Sequence, residues 1–137
     1  MSTAMRHTKN ALIIEYEVST SDTATEGEAV LLDSDTTIDD CDGASDLAVG
    51  IALKSGVAGD KIPVAMFGFA VIGAKCGTGG STRGKKQILV ADGFTDAPAH
   101  DSDNTGNSAI YGVALQSATA GQMFGLLIGG VSNRGNA

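Results

Sequence analysis

The chain has 137 residues and 13.8 kDa, enough to bury roughly two-thirds of its unfolded surface around one core. Its 42% hydrophobic content excludes a disordered chain, while 19 Gly, 4% aromatics and no Trp argue against a helical bundle, where each interior glycine costs about 1 kcal/mol. Nine Lys and Arg against sixteen Asp and Glu leave a net charge of −7, which argues against nucleic acid as the partner, since such binding works by neutralising phosphates.

The first nine residues, MSTAMRHTK, form a short basic and polar arm with nothing to pack, either frayed or docked on a partner. In NALIIEYEV, residues 10–18, Ile14, Tyr16 and Val18 alternate with Glu15 and Glu17, the period of a strand with one wet face. The polar stretch STSDTATEGE then reads as an exposed loop. Further strands are expected at Glu28 to Leu32, Leu47 to Leu53, Ile62 to Ile72, Gln87 to Ala91, Ala109 to Leu115 and Gln122 to Val131. Turn-rich pieces separate them, among them DSDTTIDDCDGASD, GTGGSTRGK and DGFTDAPAHDSDNTGNS. No window has a helical period. The expected fold is all-β, a small barrel or sandwich with an extended N-terminal arm.

An internal repeat organises the chain. VGIALKSGVAGDKIPVAMFG, from Val49, lies over YGVALQSATAGQMFGLLIGG, from Tyr111, at a constant offset of 62. Identities include Gly50 with Gly112, Ala52 with Ala114, Ser55 with Ser117 and Gly59 with Gly121, and the upstream segments EAVLLDSD and KQILVADG are also alike. Each unit therefore reads as a hairpin whose Ala-Gly turn needs the positive φ that glycine adopts freely. The boundaries expected are residues 1–20 for the arm and first strand, and 21–137 for a single β domain with units at 27–72 and 86–131. Both faces of Ile62 to Ile72 are apolar, as are both faces of the strand after the second turn, so a cover is required beyond one sheet's core. The second sheet of the same domain and another subunit both qualify.

Charge falls in blocks: eleven acids and no base from Glu15 to Asp46, then six bases and only Asp60 from Lys54 to Lys86. Solvated loops are the simpler explanation, and head-to-tail pairing between subunits is the other. No run approaches the roughly 20 apolar residues of a membrane span, and no signal-peptide core is evident. Cys41 and Cys76 lack a metal-site spacing, so free thiols in a reducing compartment are expected.

Three motifs invite chemistry and fall short of it. GGSTRGKK, residues 79–86, approaches a phosphate-binding loop, but Lys86 replaces the Mg²⁺-ligating hydroxyl and a strand follows instead of a helix. Asp101 and Asp103 resemble a calcium loop whose twelfth position is Gly112 instead of Glu. His7 and His100 have no nucleophile or metal context. No enzyme, no cofactor and no metal site is expected.

The succession of GEAVLLDSD, AVGIALKSGVAGDKIPVAMFGFAVI, and KKQILVADG with YGVALQSATAGQ resembles the small capsid decoration, or cement, proteins of tailed bacteriophages, over roughly residues 26 to 131. The resemblance implies a structural virion protein on the outer surface of an expanded head, assembled in the host cytoplasm, with the major capsid protein as partner and commonly a homotrimer. On this reading Met5, Arg6, His7, Ile13, Ile14 and Tyr16 contact the capsid, and Phe67, Phe69, Phe124 and Leu126 join subunits. A chain starting at Ser21 is then expected to fold but to bind heads poorly. The other class considered is a small β-barrel module binding a receptor or carbohydrate on a phage fibre or cell surface, against which the scarcity of Tyr and Trp counts.

Overall fold

The computed structural model describes residues 8, 10–43, 47–97, 109–129 and 132–133. The fold is all-β. A closed five-stranded barrel has the order β1 (Leu12–Val18), β4 (Thr37–Asp40), β3 (Ala29–Leu32), β5 (Gly50–Ala52) and β7 (Lys61–Met66). A five-stranded sheet follows, in the order β10 (Gly93–Asp96), β9 (Lys86–Val90), β12 (Gly112–Ala114), β13 (Met123–Gly129) and β8 (Phe69–Lys75). Short pairs complete it: β2 (Thr23–Ala24) with β6 (Gly56–Val57), and β11 (Ala109–Ile110) with β14 (Ser132–Asn133).

The two sheets are the same arrangement built twice. In the barrel, β1 pairs antiparallel with β7 and parallel with β4, joining Val18 to Ile38. In the second sheet β8 pairs antiparallel with β13, and a single parallel bridge joins Cys76 to Phe94. The pairing of β3 with β4 and β5 is likewise repeated by β9 with β10 and β12. These registers make Val18 equivalent to Cys76, Glu28 to Lys85, Val30 to Gln87, and Ala65 to Leu127. Hydrogen bonds follow the same rule: Ser55 Oγ accepts from the Glu26 N–H at 2.9 Å, and Ser117 Oγ accepts from the Arg83 N–H at 3.0 Å.

The repeated residues now have causes. Gly59 and Gly121 both stand at φ 89°, in the tight turns anticipated for them. At Gly50 a Cβ would lie 2.5 Å from the Ala65 carbonyl oxygen, and at Gly112 it would overlap the Leu127 carbonyl, so close strand approach selects glycine in both units.

The units begin earlier than the sequence repeat suggests, because β1 and β8 each open one. The expected long strand from Ile62 to Ile72 is divided at Phe67 and Gly68, with β7 in the barrel and β8 in the second sheet. Both of its apolar faces are thereby used. Strand alternation sends Val64 into the barrel with Val18, Val30, Ile38, Ala52 and Ile62. Ala65, with Ala29 and Ile51, points outward into a cluster that continues through Ala70, Ile72, Phe124, Leu126 and Ile128 of the second unit.

Candidate interaction surfaces

Strand β1 carries the largest run of exposed apolar side chains: Leu12 is 66% exposed, Ile13 52% and Ile14 36%. It lies along β7 from Leu12 to Glu17, but its other side pairs with β4 only at Glu17 and Val18. Glu15 and Glu17 are also exposed, so this end of the barrel shows both apolar and acidic groups. Tyr16 is half-buried against the barrel core. Of the arm, Met5, Arg6 and His7 lie outside the described residues. Thr8 is placed, and its Oγ1 accepts a hydrogen bond from the Gly73 N–H of β8 at 3.3 Å.

The fold buries two of the four residues expected to join subunits. Phe124 and Leu126 are fully buried in the chain's own core, so they are unavailable to a second copy. Their face of β13 is the inner one, and the outward face of that strand presents Leu127, 44% exposed. Phe67 is half-buried and packs on Tyr111, ring centroids 5.1 Å apart. Phe69 enters β8 opposite Gly129. The signal for Leu127 was present in the alternation of Met123, Gly125 and Leu127, but alternation alone does not tell which face is the inner one.

A second charged feature lies opposite in character. Arg83, Lys85 and Lys86 are exposed at the turn entering β9, the segment that resembles a phosphate-binding loop and leads into a strand. The Asp101 and Asp103 loop lies outside the described residues. Among the described residues no group of three His, Cys, Asp or Glu side chains is placed to hold a metal ion. Cys41 and Cys76 are buried and not joined in a disulfide.

The duplicated plan sets up a comparison of two acids. Asp96 and Asp40 occupy equivalent positions. Burial pushes both upward, but Asp96 Oδ1 accepts from the Thr82 N–H and the Gln87 Nε2, both at 2.8 Å, and these bonds hold its pKa below the ordinary value. At Asp40 the equivalent of Gln87 is the apolar Val30, and Oδ1 is buried without a hydrogen-bond partner. Burial, then the nearby Glu28 charge, push the Asp40 pKa up to about 6. The folded protein therefore holds a proton on Asp40 between about pH 4 and 6 that the unfolded chain has released, so stability falls as pH rises through that window. Thermal melting is expected to show a higher midpoint at pH 5 than at pH 7.5, with Asp40→Asn flattening the difference. An unchanged difference in that variant would assign the effect elsewhere.

No protein-family model matches the chain, and no curated protein matches it in sequence. Among solved structures, the fold is similar to that of the head fiber gp8.5 N base of bacteriophage phi29. The TM-score is 0.62 at 19% sequence identity, over 85% of this chain and 94% of that one. The likeness thus takes in both units of the duplicated plan and nearly the whole of the phage domain.

Proposed function

We propose that this chain is a structural virion protein that binds the outer surface of an expanded phage capsid as a homotrimer and clamps neighbouring capsomers. The observation that carries the reading is the fold likeness to a phage head fiber base, which extends over most of both chains. Ile13 and Glu15, exposed on β1, supply part of a docking surface, and Met5, Arg6 and His7 precede them in the sequence. In this reading the protein is not an enzyme, and its partner is the major capsid protein. A protein that binds only the assembled lattice stabilises it by mass action, and three copies touching several capsomers gain further through multivalency.

Co-sedimentation with phage heads tests this. Binding to expanded heads well above binding to unexpanded ones is expected, and equal or absent binding to both would overturn the reading. A chain beginning at Thr8, which keeps β1 whole and removes Met5, Arg6 and His7, is expected to fold normally and bind heads more weakly.

A further inference from the structure

The contact between the two units leaves two matching surfaces open, one on each unit. Within the chain, the outward face of the first unit is sealed by the second. Glu28 Oε2 and Lys75 Nζ form an ion pair at 2.7 Å, and the Lys75 N–H donates to the Gly27 carbonyl at 2.8 Å. Gly27 sits so close to the second unit that a Cβ there would lie 2.7 Å from Met123 Sδ. Beside them Ala65 and Ile51 are buried in the cluster shared with Ala70 and Ile72.

Among the described residues, the equivalent surface of the second unit has no such cover. Gly84, the counterpart of Gly27, has open space around its Cβ position. Lys85, the counterpart of Glu28, is exposed, and Leu127, the counterpart of Ala65, is one of the exposed large hydrophobics. The surface of the first unit that corresponds to the sealed side of the second is also open. There Glu17 replaces Lys75, and Leu12 and Ile14 replace Ala70 and Ile72, all of them exposed.

The charges are exchanged at the open surfaces. Inside the chain the first unit offers Glu28 and the second offers Lys75. At the open surfaces the second unit offers Lys85 and the first offers Glu17. We infer that copies of this chain associate head to tail, with the Gly84, Lys85 and Leu127 surface of one copy covering the Leu12, Ile14 and Glu17 surface of the next. The contact repeats the plan of the internal one, with Lys85–Glu17 in the place of Glu28–Lys75. Such a contact is heterologous, with different surfaces meeting, and it closes into a ring when its rotation permits. Apolar groups on both surfaces supply the burial, and the opposite charges fix the register.

This deepens the homotrimer part of the function proposed above. It is read on purified protein without phage heads, so its failure is distinguishable from a failure of capsid binding. Sedimentation velocity of the full chain is expected to show a closed oligomer, weakened about tenfold or more, equivalent to about 1.4 kcal/mol, by Lys85→Glu or by Glu17→Lys alone. The double variant carrying both reversals is expected to recover association. A monomer at about 100 µM, a concentration at which a contact of micromolar affinity would be saturated, overturns the inference. So does an assembly indifferent to either reversal. Both positions are exposed, and unchanged melting midpoints verify that the variants fold. As a second readout, Glu17→Cys combined with Lys85→Cys should give disulfide-linked multimers under oxidation while each single variant gives none. Linked dimers from Glu17→Cys alone would mean a two-fold contact and refute the head-to-tail one.

Discussion

A chain beginning at Ser21 will not close the barrel. Strand β1 is its fifth member, paired with six residues of β7 and with the end of β4, so its removal leaves the edge of β7 bare. Val18 is lost outright, and Ile62 and Val64, now at most 1% exposed, open to water. Each such burial contributes about 1.5–3 kcal/mol. Three of them together approach the whole stability of a domain, about 5–15 kcal/mol. Circular dichroism is expected to show loss of the cooperative thermal transition of the first unit. A truncated chain that melts within about 5 °C of the full one, a shift worth only a kcal/mol or two, would show that β1 is an appendage.

Replacing Phe124 by Ala is expected to be the most damaging single substitution on β13. The ring is fully buried, opposite Ala74 in register, and stands where the first unit has Ile62. Truncating a buried Phe costs about 3–5 kcal/mol, because a cavity remains where the ring was. That corresponds to a fall in melting temperature of about 10 °C or more for a chain of this size. Leu127→Ala, three residues along and on the outward face, is expected to leave the melting temperature of the isolated chain almost unchanged. If Phe124→Ala instead spared stability and abolished self-association, the ring would belong to a subunit contact.

Much of the plan was legible because two signals reinforced each other. Alternation marked β1, β7 and β13, and the recurrence of Gly50, Ala52, Ser55 and Gly59 at an offset of 62 marked a duplicated hairpin. Strands β4 and β10 were not legible. TIDD and GFTD have the composition of turns, and each earns its pairing from tertiary context through one deeply buried side chain, Ile38 or Phe94. The start of each unit was hidden for another reason. β1 and β8 are structural counterparts whose side chains differ at nearly every position, Glu17 against Lys75 and Leu12 against Ala70, so the backbone plan is repeated without a repeated sequence.

Of the candidate surface, Ile13, Ile14 and Tyr16 were singled out as contacts, and Leu12, in the same expected strand, was not. Phe124 and Leu126 were assigned to a subunit contact because an apolar strand with two hydrophobic faces has no sequence mark for the one that faces inward. Phe124 is the largest side chain of β13, and size draws a residue into the core as readily as it suits it to a contact.

The closure of the barrel by its first strand also orders events during synthesis. Leu12 pairs with Met66, so the earliest strand to leave the ribosome waits for more than fifty residues before its partner exists. At a synthesis rate of about 5–20 residues per second, that interval is on the order of several seconds. During it the apolar run from Leu12 to Ile14 has neither sheet nor neighbour. The acids at Glu15 and Glu17, and the acidic block that follows them, then act as a charged guard against premature strand pairing between nascent chains.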